Sequence, residues 1–278
     1  MTFTVENPDP AVPTPLPITA KMPDGQVNIL VLGSDYRPKQ GTRTDTILLV
    51  SINTKKNTVT EISIPRDLYV IIPGWTTDRI NTALPHGGFQ MMADTFAYNF
   101  GVRPDYYIMT NFNGFVGLVD SLGGITVNVG KALSDVCDLP QRSRGYCTVR
   151  PGMVKMNGKT ALWYVRSRET TSDFDRLRRS QEVLLALFTK LISLDALNKL
   201  PALYNQYKSS VETNMALADA LSLAPVAAQV ATDPGRINNY TFRPNIEVTA
   251  FTTKGGSDVQ LPNFAAIDLL LENAIFNR

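Results

Sequence analysis

The hydrophobic residues from Gln26 onward lie in short runs that are bounded by glycine, proline or charged residues. These runs are four to seven residues long and rich in β-branched side chains, a combination that is typical of β-strands. The clearest runs are Asn28–Leu32, Thr46–Ile52, Val59–Ile64, Tyr106–Met109 and Ile125–Val129. A closing strand is predicted near Asn239–Ala250.

Between and after these strands, hydrophobic residues recur at three- and four-residue spacing, which predicts helices. The predicted helices are Phe89–Phe100, Asn113–Leu122, Asp175 to about Leu194, helical segments within Leu200–Ala231, and Asn263–Ile275. Strands interleaved with helices indicate an α/β domain with a layered core. The sequence has no internal repeat and no linker after Gln26, so residues 26–278 are expected to form a single domain.

Five prolines within the first 17 residues predict a stiff, extended segment that packs poorly. Residues 1–25 are therefore interpreted as a linker or tether. They lack the basic stretch and apolar core of a signal peptide. No run in the chain approaches the ~18 apolar residues that span a membrane, because Lys190 interrupts Val183–Leu194 and Leu221–Ala231 is short.

The composition is that of an ordinary globular protein, with 44% hydrophobic and 19% charged residues among 278 and a formal net charge of +2. Sixteen arginines outnumber eleven lysines, and this excess favours oxyanion binding. His86 is the only histidine, which excludes a histidine-rich metal site and leaves one possible base for a Ser-His-Asp triad. Its neighbours Gly87 and Gly88 favour a loop residue over an acid–base group.

Cys137 and Cys147 are ten residues apart, a spacing that fits neither a C-x-x-C redox motif nor a pair of zinc knuckles. The favoured interpretation is a disulfide that closes a short loop outside the cytoplasm. Two reduced thiols in a cytosolic loop are the alternative.

Three of the predicted strands begin or end beside an arginine and an aspartate. The pairs are Asp35 with Arg37, Arg43 with Asp45, and Arg66 with Asp67. A surface salt bridge would account for any one pair and would contribute little to stability. Because α/β folds place ligands at strand ends, the repetition predicts a functional site instead.

A second group of arginines lies farther along the chain. Arg166 and Arg168 are two apart, and on an extended segment both would point to the same face. Arg176 and Arg179 are three apart at the start of the predicted long helix, a spacing that puts both on one helical face. The positive dipole end of this helix would favour an anion there. The alternatives are a solvated basic face and a nucleic-acid patch. Nucleic acid is disfavoured because the arginines are dispersed and the net charge is near zero.

Several arginines beside two carboxylates suit a pyrophosphate with a divalent cation. Arginine forks bind phosphate oxygens in bidentate fashion, and Mg²⁺ takes one or two carboxylates together with phosphate oxygens and water. Asp35 and Asp45 are therefore candidate ligands for Mg²⁺ or Mn²⁺. The alternative is that these carboxylates only orient the neighbouring arginines.

In their order along the chain, these motifs resemble the LytR-CpsA-Psr family, bacterial enzymes that attach glycopolymers to the cell wall. The matching motifs are Asn28–Arg37, Arg43–Val50, Ser63–Asp67, Arg79–Ala83 with Gly87-Gly88, Asp105–Tyr107, Phe112–Val129, Asn157-Gly158 through Arg168 to Arg176, and Val259–Pro262. Those from Asn28 to Gln181 alone span over half of the chain.

The resemblance implies a mixed central sheet flanked by helices on both faces, with a long apolar pocket for the polyprenyl tail of a pyrophosphate-linked glycan. It also implies that Asp35 and Asp45 hold Mg²⁺. The arginines that it implies around the phosphates are Arg43, Arg66, Arg79, Arg166, Arg168 and Arg176. Arg37 is a further substrate-binding candidate at its strand end.

One position departs from the family pattern. Family members commonly carry two adjacent glutamines in the long helix, where this chain has Ser180 and Gln181. Gln181 is retained as a candidate substrate contact. Ser180 is left out of the predicted site because its side chain is shorter.

The implied reaction is attack by a peptidoglycan sugar hydroxyl on the glycan-proximal phosphorus of the lipid-linked pyrophosphate, with departure of polyprenyl phosphate. Arg66 is expected to have the largest catalytic effect, together with Arg166, Arg168 and the metal ligands Asp35 and Asp45. Asp67 is either a general base or a partner that holds an arginine in place. With water as the acceptor, the same chemistry would be a pyrophosphatase side activity.

The resemblance also predicts where the protein works. Family members usually begin with a cytoplasmic tail and a transmembrane helix, so this domain is expected on the extracytoplasmic face of the membrane, held by an N-terminal anchor that is absent from this chain. The expected partners are the polyprenyl-pyrophosphate-linked glycan and the peptidoglycan acceptor. The alternative function is noncatalytic binding of polyprenyl phosphates or anionic wall polymers.

Overall fold

Strands account for much of the computed structural model, which describes residues 21–37, 41–191 and 211–276, together with residues 12, 14, 15 and 205. Its strands are β1 (Gln26–Arg37), β2 (Gly41–Asn53), β3 (Thr58–Ile64), β4 (Tyr69–Ile71), β5 (Thr77–Arg79), β6 (Tyr106–Asn111), β7 (Ile125–Val129), β8 (Leu133–Val136), β9 (Tyr146–Val149), β10 (Gly152–Met156), β11 (Val211–Thr213), β12 (Ile237–Thr241), β13 (Val248–Thr252) and β14 (Asp258–Pro262).

Six of the described strands form one mixed sheet in the order β11, β6, β1, β2, β3, β12. The pairs β1–β6 and β3–β12 are parallel, and the remaining pairs are antiparallel. The other strands form two-stranded ribbons, in which β4 pairs with β5, β7 with β10, β8 with β9 and β13 with β14.

The helices of the described ranges cover both faces of this sheet. They are α1 (Ala83–Phe100), α2 (Phe112–Ser121), α3 (Gly158–Arg166), α4 (Asp173–Leu191), α5 (Leu217–Ser222), α6 (Ala224–Thr232) and α7 (Phe264–Leu271). None of these helices combines the length and the hydrophobicity needed to cross a membrane.

Successive side chains of the central strands point to opposite faces of the sheet, and this alternation divides the core into two layers. Leu30 and Leu32 of β1 pack with α1 and α7 on one face, whereas Ile29 packs with α4 and α6 on the other. Burial of each such leucine or isoleucine contributes roughly 1.5–3 kcal/mol. The predicted fold class, a mixed sheet with helices on both faces, is therefore confirmed.

Three local predictions are wrong. The predicted strand Asn239–Ala250 is two strands of different sheets, because a turn at Pro244 and Asn245 separates β12 from β13. Part of the predicted helical region 200–231 is strand β11, which extends the sheet beside β6; residues 192–204 and 206–210 lie outside the described residues.

The segment around Arg166, expected to be extended, is the helix α3. Asn157 caps this helix by accepting a hydrogen bond from the Thr160 amide at 2.9 Å. Ala161 and Tyr164 are three residues apart and both are buried, so a helix places them together in the core. Arg166 is the last helical residue and Arg168 lies in the following loop.

The predicted disulfide is confirmed. Cys137 and Cys147 are bonded, with 5.7 Å between their Cα atoms, and the bond joins the ends of the β8–β9 ribbon.

Replacing both cysteines by serine is expected to lower the free energy of unfolding by about 3 kcal/mol. Without the disulfide, the unfolded chain regains the conformational entropy of a ten-residue loop. Urea unfolding followed by circular dichroism measures this loss. Ser134→Ala, an exposed change on the same ribbon, is the control and should shift stability by less than about 0.5 kcal/mol. Equal stability of the double variant and the wild type would contradict the expectation.

Candidate active site

A cavity of about 610 Å³ lies between the sheet and the helices α2 to α6. Its inner wall is apolar, formed by strand residues such as Val31, Leu48 and Val50 and by helix residues such as Leu184 and Phe188. These strand residues lie on the face opposite Leu30 and Leu32, so the strand alternation that builds the core also builds this wall. An apolar pocket is among the features that the resemblance implies.

The other end of the cavity is a polar mouth, where several elements end together. Among the described residues that line it are five arginines and two aspartates, leaving three positive charges in excess. They are Asp45, Arg66, Asp67, Arg79, Arg166, Arg168 and Arg176. The structure thus brings together six of the residues predicted as site residues and also Asp67, from segments more than 100 positions apart in the sequence.

Carboxylates and arginines alternate in a connected network at this mouth. Asp45 Oδ1 accepts from Arg66 Nη1 at 2.6 Å, and Asp67 Oδ2 accepts from Arg66 Nε at 3.2 Å. Asp67 Oδ1 also accepts from Arg79 Nη1 at 3.4 Å. Asp67 bridges two arginines in this way, which is the geometry of a residue that holds them in place.

Arg166 is fixed from the side of α2. Its guanidinium carbon lies 4.1 Å from the centroid of the Phe112 ring, a cation–π contact. α3 approaches α2 closely because Gly158 has no side chain; a Cβ there would lie 2.3 Å from the carbonyl oxygen of Val116. The absence of a side chain at Gly158 therefore contributes to the position of Arg166.

The first turns of α4 supply a further arginine. Arg176 is buried, with 7% of its surface exposed, and Ser180 follows it one helical turn later on the same face. Both line the cavity. Ser180, which was excluded on side-chain length, thus lies where the predicted site expected a glutamine.

Two other residues of α4 lie elsewhere. The Gln181 amide donates to the carbonyl oxygen of Tyr240 at 2.6 Å, and Gln181 does not line the cavity. Arg179 is fully buried and donates to the carbonyl oxygens of Tyr164 and Ser167. Arg179 therefore connects α4 to the C-terminal end of α3 through hydrogen bonds. The expectation that Arg179 shares a phosphate-binding face with Arg176 is wrong.

The remaining predicted residues lie on the hairpin of β1 and β2. Asp35 is in register with Arg43, and Arg37 is in register with Gly41. The backbone places Asp35 and Arg43 just beyond the row in which Gly33 pairs with Thr46, and Gly33 and Thr46 both line the cavity. The side chains of Asp35, Arg37 and Arg43 lie outside the described residues.

The mouth also contains polar residues that the sequence analysis did not select. Asn81 belongs to the motif Arg79–Ala83, and Thr110 and Asn111 are the last residues of strand β6. All three line the cavity. Asn111 also caps α2 by accepting from the Gly114 amide at 2.9 Å. For Thr110 and Asn111, the position directly after the predicted strand Tyr106–Met109 was the available signal.

Glu61 was also missed, although it is the only charged residue in the run Val59–Ile64. It lies on the inner wall of the cavity, 2% exposed. Its Oε2 has no hydrogen-bond partner among the described residues. Burial raises the pKa of this carboxyl from 4.5 to about 8.

His86 belongs to the first turn of α1 rather than to a loop, and the expected turn is the kink at Gly87 and Gly88 that follows it. Its ring stacks on Trp75, with centroids 3.5 Å apart, and its Nδ1 lies 2.9 Å from the Thr82 carbonyl oxygen. These contacts are structural, and neither His86 nor Trp75 lines the cavity.

The donor set at the mouth is compatible with Mg²⁺. The described ranges contain no cluster of three or more histidine, cysteine or acidic residues that could enclose a metal on their own. Mg²⁺ does not require one, because one or two carboxylates with phosphate oxygens and water complete its shell. Asp45 lines the mouth, and its Oδ1 accepts a hydrogen bond from Arg66.

The chain is similar to known proteins in both sequence and fold. The sequence model of the LytR_cpsA_psr family matches residues 6–261. The chain belongs to this family.

Three relatives are similar over most of the chain. Regulatory protein MsrR of Staphylococcus aureus is 32% identical over 195 residues, covering 69% of this chain and 57% of MsrR. TagT of Bacillus subtilis is 30% identical over 223 residues, 78% of this chain and 69% of TagT. TagU of the same organism is 35% identical over 191 residues, 68% of this chain and 60% of TagU. The matched part thus spans under two thirds of MsrR and TagU.

Solved structures share the fold. The crystal structure of B. subtilis TagV aligns with a TM-score of 0.73 at 24% identity, over 91% of this chain and 98% of that one. The crystal structure of B. subtilis TagU aligns with a TM-score of 0.67 at 26% identity, over 91% and 97%.

Proposed function

We propose that the protein transfers a glycopolymer from a polyprenyl-pyrophosphate carrier to a sugar hydroxyl of peptidoglycan. The observation that carries the proposal is the continuity of the apolar cavity with the arginine-lined mouth. This shape suits a molecule with a long hydrocarbon chain and an anionic head. Support also comes from the relatives TagT and TagU, which are named polyisoprenyl-teichoic acid–peptidoglycan teichoic acid transferases.

In the proposed reaction the acceptor hydroxyl oxygen attacks the glycan-proximal phosphorus. A phosphorus–oxygen bond forms to the acceptor, the bond from that phosphorus to the bridging oxygen breaks, and polyprenyl phosphate leaves with the bonding pair. The hydroxyl proton passes to a base or to water. Positioning and charge stabilisation dominate such reactions, so the arginines carry most of the catalytic effect.

Arg66 is proposed as the central catalytic residue. Its Nε and Nη1 donate to Asp67 and Asp45, which fix the plane of the guanidinium at the mouth. Preorganised donors of this kind stabilise charge that develops in the transition state without reorganisation. Asp67 is assigned to positioning rather than to general base catalysis, because both of its oxygens accept from arginines.

Asp35 and Asp45 are proposed to hold Mg²⁺, which when bound would neutralise part of the pyrophosphate charge. The contact between Asp45 and Arg66 is compatible with this role and with orientation of the arginine. Substrate contacts are assigned to Arg43, Arg79, Arg166, Arg168 and Arg176. Water in place of the acceptor would give pyrophosphate hydrolysis as a side activity.

The site of action is proposed to be the cell envelope, outside the cytoplasm. The Cys137–Cys147 disulfide supports this location, since such bonds persist in oxidising compartments.

A cavity-filling variant tests the assignment of the lipid chain to the apolar cavity. Val31 lines the cavity two residues inside Gly33, which lies at the mouth. Val31→Phe is expected to raise the KM for a lipid-linked donor at least tenfold while leaving the fold intact. The measurement is transfer of a labelled glycan at varied donor concentration.

Val27→Phe is the matched control, because Val27 is on the same strand and face but does not line the cavity. It should leave the KM within about twofold. Equal KM values for the two variants would contradict the assignment.

A further inference from the structure

Glu61 places a carboxyl group in a wall that is otherwise hydrocarbon. Its register partner on β2 is Val50, whose own partner on β1 is Ile29. Val59 precedes it on the same face of β3, and Ala227 of α6 lines the cavity beside this part of the sheet. A buried polar atom without a partner costs about 1–3 kcal/mol, so packing alone does not account for a glutamate here.

No charged group in the described structure compensates Glu61. α6 carries no ionisable residue, and the ionisable residue of β12, Tyr240, packs on the opposite face of the sheet. On α4 and β2 the charged residues described as lining the cavity are Arg176 and Asp45, both at the mouth. Burial is accordingly the single cause of its raised pKa of about 8.

The depth of Glu61 relative to the mouth follows from the strand register. Gly33 pairs with Thr46 at the mouth, and Glu61 pairs with Val50, four residues farther along β2. Four residues of a strand span about 13 Å. A chain must therefore enter the cavity by this distance before it contacts the carboxyl group.

We propose that Glu61 makes the binding of long isoprenoid chains depend on a proton: a chain that reaches Glu61 binds only when this carboxyl is protonated, whereas a shorter chain binds regardless. The inference rests on the proposed function, in which the donor's chain occupies the cavity. Its physical basis is that hydrocarbon laid against an unpaired carboxylate would remove the last solvation of that charge, which is costly. Glu61 is thus a specificity-determining residue for chain length, whose effect is set by pH.

The test uses geranyl phosphate, with two isoprene units, and geranylgeranyl phosphate, with four. The heads are identical, and only the longer chain exceeds the distance to Glu61. Dissociation constants are measured by calorimetry at pH 7 and pH 9 on the whole chain. Because one carboxyl in about eleven is protonated at pH 9, the longer ligand is expected to bind about tenfold more weakly there relative to the shorter one.

Two variants separate this effect from other titrations. Glu61→Gln keeps the shape and cannot ionise, so the ratio of the two constants should become independent of pH. Glu169→Gln, an exposed change, should behave as the wild type does. A pH-independent ratio in the wild type, or a tenfold change that persists in Glu61→Gln, would overturn the inference while leaving the proposed function in place. Equal affinity for both chains at pH 7 would overturn both.

Discussion

Arg66→Ala is expected to lower the rate of glycan transfer by about 10²–10³-fold, the usual cost of removing one preorganised donor from a developing charge. The loss has two sources. The guanidinium no longer contacts the pyrophosphate, and Asp45 and Asp67 lose the cation that they hold at 2.6 and 3.2 Å. Those carboxylates then face an anionic substrate, which should also raise the KM. Steady-state transfer kinetics with a lipid-linked donor measure both quantities.

Two further variants define what Arg66 contributes. Arg66→Lys keeps the charge but not the two-pronged geometry, so it should recover only part of the rate. Arg103→Ala removes an arginine of an exposed ion pair with Asp94 and should leave the rate unchanged within about twofold. A wild-type rate in Arg66→Ala would contradict the catalytic assignment, as would an equal loss in Arg103→Ala.

Glu61→Gln is expected to change how stability depends on pH. The folded-state pKa of Glu61 is about 8, above its ordinary value of 4.5, so the folded state binds this proton more tightly than the unfolded state. The stabilising effect of protonation is complete below pH 4.5 and is lost as the pH rises to 8. The loss amounts to about 4 kcal/mol for the wild type. Glu61→Gln cannot lose stability in this way, because a glutamine side chain does not ionise.

The free energy of unfolding in urea, measured from pH 5 to pH 8.5, tests this expectation. The stability of Glu61→Gln relative to the wild type should increase steadily with pH by several kcal/mol. Glu169→Gln, exposed on a loop, should give a curve parallel to the wild type. Parallel curves for Glu61→Gln and the wild type would show that Glu61 is not held in its neutral form.

The sequence pattern predicts the central strands well because hydrophobic alternation and β-branched residues are local signals. β1, β2 and β3 each contain the run that predicted them. Ribbon strand β7 is also predicted, but the β4–β5 and β8–β9 ribbons are not, since their strands are only three or four residues long. Asn239–Ala250 was read as one strand because the turn at Asn245 adopts a positive φ of 61° without a glycine to mark it.

The candidate site was found largely through arginines at strand ends, and the structure groups Arg66, Arg79, Arg166 and Arg176 at one mouth. Spacing alone could not show that Arg179 is buried against backbone carbonyl oxygens, since Arg176 and Arg179 look equivalent in sequence. Periodicity could not distinguish residues of the cavity wall from residues of the core. Leu30 packs in the core and Val31 lines the cavity, yet both are apolar residues of the same strand. Tertiary packing decides which face encloses a cavity.

The fate of the glycan-proximal phosphorus tests the central claim most directly. A lipid-linked glycan labelled at this phosphorus is incubated with the protein, Mg²⁺ and peptidoglycan, and the label is followed in each product. The account predicts that the label appears in peptidoglycan as a phosphodiester while polyprenyl phosphate is released, and that Arg66→Ala slows both by about 10²–10³-fold. Tight retention of the intact labelled lipid, with no label transferred, would contradict the account and identify a noncatalytic lipid binder.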